Sequence, residues 1–135
     1  MAWFAYHLIG VFPIDLGSAV LGKLFRFIGP QLPISKRARI HMRACFPSWN
    51  EIDLEANVRD MWENLGRAAA EFPHIQNLDV SGRDKRVEVI GVEHIHSLRD
   101  DGKPGIVFSA HLGNWELYGA SVAMQFGQAP HLTYR

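Results

Sequence analysis

A chain of 135 residues with 47% hydrophobic content is long enough to bury one domain core and too ordinary in composition for a disordered or fibrous protein. Fourteen basic side chains against fourteen acidic ones leave no net charge. Without a basic excess or a reader motif, nucleic acid is excluded as the expected partner. The single cysteine, Cys45, excludes an internal disulfide and a cysteine metal cluster. It fits a reducing, cytoplasm-facing location and reads as a small buried hydrophobe.

The charge is unevenly spread. Residues 1–46 carry six cations (Lys23, Arg26, Lys36, Arg37, Arg39, Arg43) against one acid, Asp15, whereas residues 47–101 carry twelve acids against six cations. The basic part also holds the longest apolar runs, which points to an anionic surface. Residues 1–34 divide off as an apolar amino-terminal segment. The uncharged run from Met1 to Ile14 is 14 residues long, short of the ~20 a spanning helix needs, and Pro13 and Asp15 interrupt it. A helix from about Asp15 to Ile28 would align Leu16, Val20, Leu24 and Phe27. That stripe suits a segment lying on or dipping into a membrane, or packing on the chain's own core.

A second helix is expected over residues 35–46, with Ser35 as N-cap and Lys36, Arg39 and Arg43 at helical spacing. Such a face is either solvated or aimed at lipid headgroups or an acidic carrier protein. Phe46-Pro47 closes it. Ser48-x-x-Glu51 reads as a capping box opening a long helix with Leu54, Val58, Met61, Trp62, Leu65, Ala69 and Phe72 inward, ending near Pro73. A polar loop follows over 77–86. Val87 to Ile90 reads as a short strand, Gly91 as a break, and Val92 to Asp101 as a short helix. His94 and His96 cannot share a helix face, so a two-histidine metal site there is not expected.

The stretch Gly102 to Tyr118, GKPGIVFSAHLGNWELY, organises the rest. Gly102-Lys103-Pro104-Gly105 is turn composition, and Ile106-Val107-Phe108 reads as a short buried strand. Small and polar residues then turn the chain, with Asn114 as N-cap of a helix running to about Phe126. His111 would stand at the strand's carboxyl end and Glu116 in the helix's first turn, where ligands bind in open α/β sheets. Five residues apart, the two would not share a face of one helix, but across a turn the carboxylate can reach the imidazole. A carboxylate on one ring nitrogen fixes the tautomer and leaves the other nitrogen as a base. The structural alternative is a histidine meeting a helix-capping glutamate. Pro130 to Tyr134 reads as a further strand.

Ser109-Ala110-His111-Leu112-Gly113-Asn114-Trp115-Glu116 resembles the HxxxxE block of the bacterial lipid A biosynthesis acyltransferases, the lauroyl- and myristoyl-transferase family. Met61 to Arg67 with Glu71-Phe72, Val89 to His94, and Leu132 to Arg135 resemble three further segments of that family. Its members run well beyond this length and carry an amino-terminal membrane anchor, so the chain resembles an amino-terminal portion, with residues 1–34 as a membrane-associated amino-terminal segment and residues 35–135 as the first part of the acyltransferase domain. The element order and the resemblance together imply an α/β fold: amino-terminal helices, then βα units with a largely parallel sheet, like the glycerolipid acyltransferases.

The implied activity is transfer of a fatty acyl chain from an acyl thioester, on acyl carrier protein or CoA, to a hydroxyl of a lipid A precursor or related glycolipid. His111 would be the general base and Glu116 its orienting partner. Asn114 would shape the loop at the substrate site. Arg135, by resemblance alone, would contact a phosphate. No metal or other cofactor is called for. The implied location is the cytoplasmic face of the bacterial inner membrane. Two alternatives stay open: a non-catalytic membrane-associated or interaction module, and a histidine metal hydrolase, for which His111 lacks a second histidine at ligand spacing.

Overall fold

The computed structural model describes residues 2–78, 86–88 and 90–119. The chain divides into two compact units, residues 1–73 and 74–135. The first is helical: α1 (Ala2–Gly10), α2 (Ile14–Ile28), a 3-10 turn (Gly29–Gln31), α3 (Ser35–Cys45) and α4 (Glu51–Glu71); a second 3-10 turn (Phe72–Asn77) spans the boundary. In the second unit α5 (Val92–Asp100) is followed by a short helical stretch over 116–119.

The α/β expectation is overturned, because the described residues contain no strand and no sheet. Residues 104–110 carry no regular structure, and Ile106 and Phe108 stand 91% and 93% exposed. Ile90, from the other expected strand, is exposed as well. The apolar, β-branched composition was read correctly; the missing element is a partner. A strand's hydrogen bonds close only against a neighbouring strand, and β-propensity mostly records fit to a half-buried pleated surface. No described segment offers that surface to 106–108. The strand expected at Pro130 to Tyr134, and the helix beyond residue 119, lie outside the described residues.

The first unit is organised by α4 packing antiparallel on α2. The register follows from the contacts: Ser18 Oγ donates to Glu71 Oε1 at 2.8 Å, Gly22 lies against Arg67, Arg26 pairs with Asp60 and Glu63, and Gly29 lies against Trp62. The helices approach closely because glycines stand at the crossing. A Cβ on Gly66 would lie 2.5 Å from the Leu21 carbonyl oxygen and 2.8 Å from Phe25 Cβ. The buried line on α4 is Leu54, Val58, Trp62, Gly66 and Ala70, each four residues from the next. Leu65, Ala69 and Phe72, expected inward, are exposed. The glycine explains the difference: the tightest approach centres on Gly66, which turns its neighbours outward. Each fully buried Leu or Val contributes about 1.5–3 kcal/mol.

Several local expectations shift in detail. The cap of α4 is Asn50, whose side chain accepts from the Asp53 amide at 2.9 Å, not Ser48. Asparagine caps as well as serine, and Ser48 lies within the turn closed by the Trp49 amide on the Phe46 carbonyl. Ser35 does not cap α3. It is buried, and its hydroxyl donates to the Gly29 carbonyl at 2.6 Å while accepting from Trp62 Nε1 at 2.8 Å. Cys45, expected buried, is exposed as the last residue of α3 before the chain turns through Pro47.

The basic face of α3 is largely spent within the fold. Arg39 grips the Glu55 carboxylate through Nε and Nη2 at 2.5 and 2.9 Å, and Arg43 pairs with Glu51. The hydrogen bond from Arg39 holds the Glu55 carboxyl below its ordinary range, and the one from Arg67 does the same for Glu63.

Candidate active site

The His111–Glu116 segment forms a tight reversal. The Leu112 amide donates to the Ala110 carbonyl at 2.8 Å, and Gly113 takes a left-handed backbone with φ of 57°. Few residues other than glycine adopt that conformation without strain, which accounts for Gly113 at this place. The Leu117 and Tyr118 amides then donate to the Asn114 and Trp115 carbonyls at 3.1 Å each, opening the helical stretch over 116–119. Loop and helix start thus stand where the sequence puts them, with the helix beginning one turn-residue later than an Asn114 cap implies. Such offsets at helix ends are usual.

The site residues fall as follows. His111 is exposed, at the head of the turn, and its ring meets the Trp115 ring edge-to-face with centroids 4.4 Å apart and planes at 65°. Glu116 is half-buried on the following turn. Among the described residues no hydrogen bond joins His111 to Glu116, so the two are brought into one turn without being bonded. Asn114 is half-buried in the loop, and its carbonyl closes the first helical turn. Arg135 lies outside the described residues. The contact not expected from the sequence is the one between the His111 and Trp115 rings. The signal for it is the i, i+4 spacing to His111 around a glycine turn, which brings two rings to one side.

Chemically, an exposed imidazole with a free ring nitrogen can accept a proton from a hydroxyl, and a carboxylate one turn on can offset the imidazolium charge that results. Among the described residues no group of three His, Cys, Asp or Glu side chains is placed to hold a metal ion.

The class of protein that carries this block is settled by comparison. The profile of the bacterial lipid A biosynthesis acyltransferases matches residues 1–132, and the chain belongs to that family. A lipid A biosynthesis acyltransferase of Haemophilus influenzae is 26% identical over 118 residues, which cover 87% of this chain and 36% of that protein. The chain therefore spans about a third of the length of the curated relative it matches. No solved structure matches it.

Proposed function

We propose that this chain carries the proton-transfer segment of an O-acyltransferase that moves a fatty acyl chain from an acyl thioester, on acyl carrier protein or CoA, to a hydroxyl of a lipid A precursor or related glycolipid. The observation that carries the proposal is the placing of His111 and Glu116 in one glycine-turned reversal within a stretch matched by the acyltransferase family. His111 takes the proton from the acceptor hydroxyl as that oxygen attacks the thioester carbonyl. The tetrahedral intermediate collapses with departure of the thiolate, and the proton held on His111 returns to the leaving sulfur. No acyl-enzyme intermediate is needed. Glu116 orients the ring and balances its charge once substrate draws the pair together; catalytic hydrogen bonds are often long or unmade before substrate binds. The acceptor is a lipid, and the apolar line on α2 that α4 leaves exposed supports a membrane surface as the place where it is met; the cytoplasmic face of the inner membrane is the reading that the family resemblance adds.

The test is thiol release from an acyl thioester, with and without glycolipid acceptor, by the product of the complete reading frame. Acceptor-dependent release should fall about 10²–10⁴-fold in His111→Ala, the range for loss of a general base. A rate within threefold of the parent, at equal folded fraction, removes His111 from the role. No release above the uncatalysed rate, with or without acceptor, favours a non-catalytic module.

A further inference from the structure

The corner between α2 and α3 has an inner and an outer side. Gly29 and Ser35 face inward, tied to each other and to Trp62 of α4. The remaining corner is fixed by short backbone bonds: the Leu32 amide on the Gly29 carbonyl, Ser35 on Leu32, Lys36 on Pro33 and Arg37 on Ile34, all between 2.9 and 3.2 Å. Its outer side is apolar, with Phe27 at 75% exposure and Ile34 at 56%, joined by the exposed Ile28 and Leu32. The exposed line Leu16, Val20, Leu24 extends it along α2.

Charge marks out the same side. No acid occurs between Asp15 and Glu51, while six cations do. Arg26, Arg39 and Arg43 are consumed by Asp60, Glu63, Glu55 and Glu51 of α4. Lys23, Lys36 and Arg37 are exposed and make no ion pair among the described residues. Lys23 stands three residues after Val20 and four before Phe27, so it shares their face of α2. Lys36 and Arg37 lie in the first turn of α3, two and three residues after Ile34. The fold thus sorts its cations into three that hold α4 and three that border the apolar surface.

We propose that this corner is an anion-selective docking surface for a lipid bilayer: Phe27, Ile28, Leu32 and Ile34 enter the interface while Lys23, Lys36 and Arg37 take headgroup phosphates. The inference rests on the membrane reading above and names the contact that makes it. A bilayer suits the arrangement because long cationic side chains beside apolar ones can place their stems in the apolar boundary and their charges among phosphates. A rigid corner gives up little conformational freedom on docking.

The experiment is partition of the whole chain onto vesicles of phosphatidylcholine alone and of phosphatidylcholine mixed with phosphatidylglycerol. The parent should bind the mixed vesicles more tightly, and less so as salt rises. The triple variant Lys23→Gln, Lys36→Gln, Arg37→Gln should lose about 100-fold on mixed vesicles, roughly fivefold per cation, and little on neutral ones. Phe27→Ser with Ile34→Ser should lose at least about tenfold on both. All five side chains are exposed, so melting temperatures should match the parent. If the parent binds mixed vesicles and both variants bind as well as it does, the corner is not the contact and the inference is overturned. If the parent ignores both vesicles, the membrane reading itself fails. If it then also sediments as a dimer, a second copy covers this face.

Discussion

Ser35 and Trp62 form a small buried relay whose loss can be worked through in advance. The Trp62 Nε1–H donates to Ser35 Oγ at 2.8 Å, and that hydroxyl donates to the Gly29 carbonyl at 2.6 Å. Ser35→Ala removes both bonds at once and strands the buried indole N–H, while the Gly29 carbonyl keeps its bond from the Leu32 amide. Leaving a buried polar group unsatisfied costs about 1–3 kcal/mol and losing the carbonyl's second bond about 1 kcal/mol, so the variant should cost about 3 kcal/mol. Trp62→Phe removes one bond only, since Ser35 still reaches Gly29; about 1 kcal/mol for the bond and a further ~1 kcal/mol for the smaller ring are expected. In the double variant the indole is gone, so Ser35→Ala costs only the carbonyl's second bond. The double variant should therefore fall short of the sum of the singles by about 1–2 kcal/mol. Against a total stability of about 5–15 kcal/mol, these are large shifts in a urea midpoint. If the singles add within about 0.5 kcal/mol, the relay does not couple α4 to the corner, and the corner's rigidity needs another source.

Three further outcomes are expected. Gly66→Ala should lower the melting temperature despite gaining ~1 kcal/mol of helix propensity, because its Cβ would lie 2.5 Å from a backbone oxygen and overpacking costs about 1–3 kcal/mol; a rise would mean that the crossing is looser than drawn. Glu55, with its carboxyl held down by Arg39, contributes stability above the ordinary carboxylate range and loses it as pH falls through the lowered folded value. The pair is partly solvated, so that contribution is about 0.5 kcal/mol at most, and Glu55→Gln should make the acid-side fall in melting temperature correspondingly shallower. In the transfer assay Glu116→Asp should retain more activity than Glu116→Gln, because the charge balancing the imidazolium matters more than the side chain's size; a Gln variant as active as the parent would leave Glu116 as a helix-opening residue.

The amino-terminal helices were legible because their signals are local. An apolar residue every third or fourth place, Pro47 and Pro73 as stops, and a polar cap near residue 50 act within one or two turns of chain. The finer choices were not local. Asn50 and Ser48 are near-equal caps, and only the turn that occupies Ser48 separates them. Ser35 has the composition of a cap, but its hydroxyl is drawn inward by a carbonyl six residues back and an indole on another helix. The exposure of Leu65 follows from Gly66 meeting the Leu21 backbone, a pairing across 45 residues that periodicity does not encode.

The two misjudged regions differ in kind. At 106–108 the composition correctly describes a segment that would pair if a neighbour stood beside it; a helix closes its hydrogen bonds within itself, whereas a strand has none to close alone. That is why α2 and α4 stand complete while Ile106 and Phe108 face solvent. Three residues on, the His111 reversal needs no neighbour, only a glycine able to take positive φ, and it forms where the sequence places it. On α3 the error was one of counting. Lys36, Arg39 and Arg43 share a sequence pattern, yet Arg39 and Arg43 face acids on α4 and Lys36 does not. A pattern of like charges states how much positive charge a helix carries. How much of it remains for a partner is decided by the acids that tertiary packing sets opposite, and here that leaves the free charge beside the apolar corner.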